Sequence, residues 1–187
     1  TKEKNKVAVL AIDPSSRISK GSILGDKTRM IKLGNNNSAF IRPSPSKGDL
    51  GGVCSTTKDT ITLCEVAGYN IILIETVGVG QSETMVQEMT DIFIYLTLIQ
   101  NGDEIQFIKK GVLEVSDCII INKSDQNQEI ANQLQTLLKS HLKSANTNKT
   151  QNVFTCSALN NFNIQEIWKS IQNQYETKNK SGEIQKI

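Results

Sequence analysis

Five short apolar runs, each followed by a stretch with helix signals, constrain this chain more than any other feature. The first, Val7–Ile12 (VAVLAI), is apolar without alternation, as a strand buried on both faces must be. Asn70–Glu75, Asp91–Leu98, Asp117–Ile121 and Asn152–Cys156 follow it. Helices are expected over Ser55–Ala67, stopped by Gly68, and near Ser82–Glu88, Gln106–Glu114, Gln128–Leu142 and Ile164–Tyr175. Strands that alternate with helices need crossover connections, and crossovers give a parallel sheet covered by helices. The 187 residues, 37% hydrophobic and only 5% aromatic, suit one domain with a core of Ile, Leu and Val. Gly21 to Gly52 reads as a long functional or disordered loop holding one short helix near Lys27–Leu33. Lys143–Gln151 reads as a surface loop. The tail from residue 177 to 187 reads as polar and mobile, or as the stub of a longer arm.

Charge and cysteine usage remove several classes of function. Lys and Arg total 21 against 19 acidic residues, a net charge of +2, which gives no case for nucleic acid or an anionic membrane as partner. No apolar run approaches the ~20 residues that span a bilayer. Cys54, Cys64, Cys118 and Cys156 form no CxxC pair and read as reduced thiols. The single histidine, His141, reads as part of a solvated helix rather than as a metal ligand.

The strongest chemical signal is Asn122-Lys123-Ser124-Asp125, directly after the fourth run. Guanine presents two N–H donors on one edge, and a carboxylate at Asp125 accepts both at once. Adenine offers no such pair and leaves that charge unpaired. The Lys123 stem can cover the base face, and Asn122 can tie neighbouring loops together. The bland alternative is a polar turn, but the motif stands at a strand's C-terminal end, where α/β sheets bind ligands. After the fifth run comes Thr155-Cys156-Ser157-Ala158-Leu159. A backbone N–H near Ala158 could donate to the guanine carbonyl oxygen, and Ser157 belongs to the same turn. Alone it is a weak signal and reads sooner as a helix-entry turn; its place one strand–helix unit after Asn122–Asp125 gives it weight.

The second run ends in Glu75-Thr76-Val77-Gly78. An acid at a strand tip can hold Mg²⁺ through water, and a glycine at Gly78 lets the main chain approach a γ-phosphate. Asp13 at the first strand's end and Asp26 in the long loop complete a set of hard oxygen donors with Glu75. Asp13 is equally an Asx-turn residue before Pro14, and Asp26 a helix N-cap. No GxxxxGK[ST] phosphate loop occurs. The chain opens on a strand, where the helix after such a loop would be ending. The expected fold is therefore α/β of the P-loop NTPase type, a mostly parallel sheet flanked by helices and lacking its first strand and phosphate loop. Residues 1–176 would be the partial GTPase domain.

Read together, Val7–Ser16, Gly21–Met30 and Glu75–Glu83, with Ile41–Pro45 and Leu50–Gly52 between them, resemble one family. It is the methylmalonic aciduria type A family with its bacterial MeaB-like counterparts, among the P-loop metal- and cofactor-delivery GTPases. The likeness runs from about Val7 to Asp125. It implies a GTP-binding and GTP-hydrolysing chaperone that gates adenosylcobalamin loading of methylmalonyl-CoA mutase and protects that enzyme. It implies GTP/GDP and Mg²⁺ as ligands, with Asp13, Asp26 and Glu75 at the metal. It also implies Glu75 and Gly78 in catalysis, and Asn122, Lys123, Asp125, Ser157 and Ala158 at the base. Gly102–Gly111 matches a switch loop that signals to the mutase, through Gln106, Lys109 and Lys110. The full-length form is expected to dimerise. The resemblance implies the mitochondrial matrix for a eukaryotic source and the cytoplasm for a bacterial one.

Phe107 replaces an expected small residue, and Ile18-Ser19-Lys20 replaces a Thr/Gly-rich stretch. Val79 follows Gly78 where signalling GTPases carry a water-orienting Gln, so slow turnover accelerated by the partner is expected. The rival readings are another metal-delivery GTPase, a transport-linked ATPase, and a nucleotide-free module that binds the mutase.

Overall fold

The computed structural model describes residues 5–13, 30–45, 50–76, 86–99, 110–144 and 151–184, with main chain alone at 13, 32, 44–45, 50–55 and 110. The chain forms two compact units, Thr1–Met89 and Thr90–Lys186.

In the first unit, β1 (Val7–Asp13) is followed by α1 (Ile31–Gly34), β2 (Ala39–Pro45), α2 (Leu50–Val66) and β3 (Ile71–Thr76). The three strands form one sheet in the order β2-β1-β3, parallel throughout. β1 is central, and Ala8 through Ile12 are all buried, which is why its sequence does not alternate. One face carries Ala8 and Leu10, with Ile72 and Ile74 beside them. α2 covers that face with Ile61 and Cys64, and Thr57 and Thr60 on the same helical stripe are buried too. Thr60 Oγ1 donates to Thr56 O at 2.7 Å and accepts from the Arg42 guanidinium. Gly68, at φ +83°, ends the helix, with Tyr69 N–H returning to Cys64 O at 3.0 Å.

The second unit runs β4 (Ile94–Leu98), α3 (Lys110–Val115), β5 (Cys118–Asn122), α4 (Gln128–Ser144), β6 (Asn152–Thr155) and α5 (Ile164–Ser181). Its sheet is again parallel, in the order β4-β5-β6. Ile119 and Ile121 of the central strand pack with Leu113 of α3, Val153 of β6 and Leu134, Leu138 and Leu142 of α4. Cys118 and Ile120, on the opposite face, meet Ile167 of α5, with Ile164 and Ile171 alongside. Helices therefore cover both faces, and the strands read as continuous apolar runs for that reason.

Several elements differ from the sequence expectation. β2 lies inside the stretch read as loop, and the short helix there is one turn, Ile31–Gly34. α2 begins at Leu50, through Gly51 and Gly52, and not at Ser55. β4 starts at Ile94 because Phe93 turns its N–H to the Asp117 carboxylate instead of to a strand. α5 continues to Ser181, where Gly182 at φ +78° stops it, well past the expected end near Tyr175. The helix expected at Ser82–Glu88 is helical at 86–87, and its first residues lie outside the described ones. The expected Gln106–Glu114 helix is described from Lys110 onward.

Candidate functional site

β5 and β6 are parallel neighbours, with Ile121 paired to Thr155, so the segments leaving their C-terminal ends are adjacent. Asn122 closes β5, and its side chain joins those two segments. Its Oδ1 accepts from Lys123 N–H at 2.8 Å, from Ala158 N–H at 3.0 Å and from the Cys156 thiol at 3.6 Å. The main chain adds two more ties: Cys156 N–H donates to Ile121 O at 2.8 Å, and Ser124 N–H donates to Cys156 O at 2.9 Å.

Each residue of the first segment takes a distinct place. Lys123 adopts the left-handed region at φ 62°, an uncommon conformation for a residue with a side chain, and is exposed. Ser124 is buried, and among the described residues its Oγ has no hydrogen-bond partner. Asp125 is exposed, and among the described residues no hydrogen bond or ion pair engages its carboxylate. Asn127 then caps α4, its Oδ1 accepting Ile130 N–H at 3.1 Å.

The second segment is a small closed turn. Ser157 and Phe162 form an antiparallel bridge, and Ser157 Oγ accepts Asn160 N–H at 3.1 Å. Asn163, at φ 63°, donates through Nδ2 to Thr155 O at 2.9 Å and leads into α5. Ala158 and Leu159 stand at the exposed end of this turn, Leu159 with 85% of its surface in solvent. The Ala158 N–H offered to a base oxygen is here engaged by Asn122. Sequence reasoning passed over Leu159, Cys156 and Ser124. For Leu159 a signal existed, a large apolar residue in a short turn that also holds Ala158 and Phe162; for the other two there was none.

In the first unit the C-terminal edge of the sheet holds Asp13 and Glu75. Glu75 pairs with Ala11 in the register, two positions before Asp13, and is exposed. Asp26, Gly78, Gln106 and Lys109 lie outside the described residues, and Lys110 opens α3. Among the described residues no cluster of three or more His, Cys, Asp or Glu side chains could hold a metal ion. No helix among them is long and apolar enough to cross a membrane. Cys64, Cys118 and Cys156 are free, and burial raises the pKa of all three thiols, that of Cys118 to about 12.

The family model for the methylmalonyl-CoA mutase-associated GTPase MeaB matches residues 1–187. The chain is 46% identical over 186 residues to the "GTPase ArgK" of Escherichia coli (strain K12), covering 97% of this chain and 56% of that protein. It is 45% identical over 188 residues to the mitochondrial methylmalonic aciduria type A homolog of Mus musculus, covering 98% of this chain and 45% of that protein. The chain thus spans about half the length of these curated relatives. Among solved structures, HypB from Helicobacter pylori in complex with nickel matches with a TM-score of 0.64 at 15% identity, over 94% of this chain and 78% of that one. At that identity the likeness speaks for the fold, an α/β arrangement of parallel strands flanked by helices.

Proposed function

The chain belongs to the family of methylmalonyl-CoA mutase-associated GTPases, and from that premise we propose that it carries the base-recognition half of a GTP-hydrolysing chaperone for that mutase. One observation carries the reading most directly. Asn122 stitches the segment bearing Asp125 to the segment bearing Ala158, while the Asp125 carboxylate stays exposed and unengaged by described residues. That is a preorganised acceptor for a two-donor edge, and guanine has one.

In this reading Asp125 accepts both N–H groups of the base. Ala158 N–H is shared with the base oxygen, beside Ser157 in the same turn. The Lys123 stem and the Leu159 side chain cover the two faces of the ring. Asp13, Asp26 and Glu75 are hard oxygen donors of the kind Mg²⁺ takes, and the exposure of Glu75 at the sheet edge fits such a role. A bound Mg²⁺ supplies charge neutralisation at the phosphates. Gly78 gives the main chain its close approach to the terminal phosphate. Gln106, Lys109 and Lys110 carry the nucleotide state to the mutase, which accelerates a slow intrinsic turnover and so gates adenosylcobalamin loading. Dimerisation belongs to the full-length form. The compartment follows the source, the mitochondrial matrix for a eukaryotic one and the cytoplasm for a bacterial one; the Mus musculus relative is named as mitochondrial.

The test is titration with fluorescent GDP and GTP in Mg²⁺, with unlabelled GTP and ATP as competitors. It uses this chain and the same chain extended to the length of its relatives. Displacement by GTP and not by ATP is expected. Asp125→Asn should weaken GDP binding about 10- to 100-fold, the worth of a charge-assisted pair of hydrogen bonds. The same variant should gain affinity for xanthosine diphosphate, which carries a carbonyl where guanine carries its amino group. Absence of guanine binding in both forms would sink the reading.

A further inference from the structure

Three main-chain carbonyls at the C-terminal end of α3 converge on one side chain. Gln151 Nε2 lies 2.7 Å from Leu113 O, 3.2 Å from Glu114 O and 2.6 Å from Ser116 O. Carbonyls only accept, so the nitrogen of the amide and not its oxygen must face them. Two N–H groups thus serve three acceptors, while the Gln151 Oε1 atom is buried without a partner among the described residues. The last carbonyls of a helix have no partner within it and carry its negative end. The last turn of α3 holds no basic residue, and Gln151, 35 positions beyond Ser116, supplies the complement to that end.

Both ends of this contact are anchored. Asn152, the next residue after Gln151, opens β6 in register with Cys118 and donates through Nδ2 to Ser170 Oγ of α5 at 3.0 Å. Leu113 belongs to the core around Ile119, and Val112 beside it is buried too. The residues Lys110–Val115 rise about 9 Å along the helix axis, a single stiff piece. Whatever holds the carbonyl end of that piece sets where Lys110 stands.

We propose that Gln151 is a positioning residue for partner signalling: its amide clamps the carbonyl end of α3 and so fixes the place from which Lys110, at the other end, is presented to the partner protein. The proposal rests on the reading above, in which Lys110 helps carry the nucleotide state to the mutase. Gln151 acts through α3 and not by contact with nucleotide or partner. The clamp needs a donor rather than a carboxamide as such. A lysine there brings three N–H donors to three acceptors and a positive charge to a negative helix end. An alanine leaves the carbonyls to water.

The experiment uses the protein extended to the length of its relatives, with purified methylmalonyl-CoA mutase. GTP turnover is measured alone and against rising mutase concentration for wild type, Gln151→Ala, Gln151→Lys and Gln135→Ala. Gln135→Ala is the matched control, since Gln135 Nε2 donates to a carbonyl of β6, Val153 O at 2.7 Å, rather than to α3. Gln151→Ala should keep kcat and KM without mutase within about two-fold of wild type, yet need about five- to ten-fold more mutase for half-maximal acceleration, the worth of the lost hydrogen bonds. Gln151→Lys and Gln135→Ala should respond as wild type does. A wild-type response in Gln151→Ala, a matching fall in its turnover without mutase, no rescue by lysine, or an equal loss in Gln135→Ala overturns the proposal and leaves the GTPase reading standing. A wild-type protein that hydrolyses GTP but ignores the mutase overturns the partner reading, and this proposal with it.

Discussion

Cys118 opens the central strand of the second unit with no exposed surface, and burial, reinforced by the Asp117 carboxylate, raises its thiol from 9.0 to about 12. The folded state therefore holds this proton more tightly than the unfolded chain does. The resulting stability is fully present below pH 9.0 and is lost as pH rises through about 12. Cys118→Ala should lower stability by about 1–2 kcal/mol at pH 7 through the lost packing, and its deficit against wild type should narrow above pH 9. Urea midpoints from pH 7 to 11 measure this; a constant deficit would contradict it. At this scale the residues proposed for base recognition stood out in the sequence because each carries a chemical demand in its own side chain. The Asp125 carboxylate can accept two donors at once whatever surrounds it. The burial of Cys156 and Ser124 was not legible, since it depends on neighbours that only the β5–β6 pairing brings near.

Elements were read best where burial imposed a pattern. β1, β3, β5, β6 and α4 lie within a residue or two of expectation because their apolar runs are continuous or periodic. β2 escaped because Pro43 and Pro45 argue against a strand. It tolerates them as an edge strand, paired only with β1. The length of α5 escaped for a different reason. Its last turns hold polar residues, and one anchor there is a long-range ion pair. Lys178 Nζ lies 2.7 Å from Asp117 Oδ1 and donates to Asp91 O at 3.0 Å. Asp117 Oδ2 accepts Phe93 N–H at 2.8 Å, and Gln174 donates to Asp117 O at 3.3 Å. The pair is nearly buried on the carboxylate side, so removing the cation strands a charge. Lys178→Met should cost about 1–3 kcal/mol, against near zero for the exposed Lys180→Met. Chemical denaturation of the two variants side by side decides it; equal effects would mean the ion pair contributes nothing.

Over the whole molecule, the alternation of strands and helices predicted an α/β fold with parallel strands, and the structure has that character in both units. The division at Met89 and Thr90 was not legible, because periodicity reports which residues are buried and not which core they join. Each unit has its own central strand covered on both faces, β1 in one and β5 in the other. Amide exchange should therefore be slowest at Ala8–Ile12 and Cys118–Ile121. Slower exchange in the edge strands β2 or β6 would contradict this assignment. The Asn122 junction has a consequence for how such a molecule ages. Hydrolysis of that carboxamide to an acid leaves an oxygen in place to receive Lys123 and Ala158, and strengthens its hold on them. The same event turns the neighbouring amino donor into a second negative oxygen. A sample aged this way would keep its size and, on the function proposed above, would lose its hold on the guanine base.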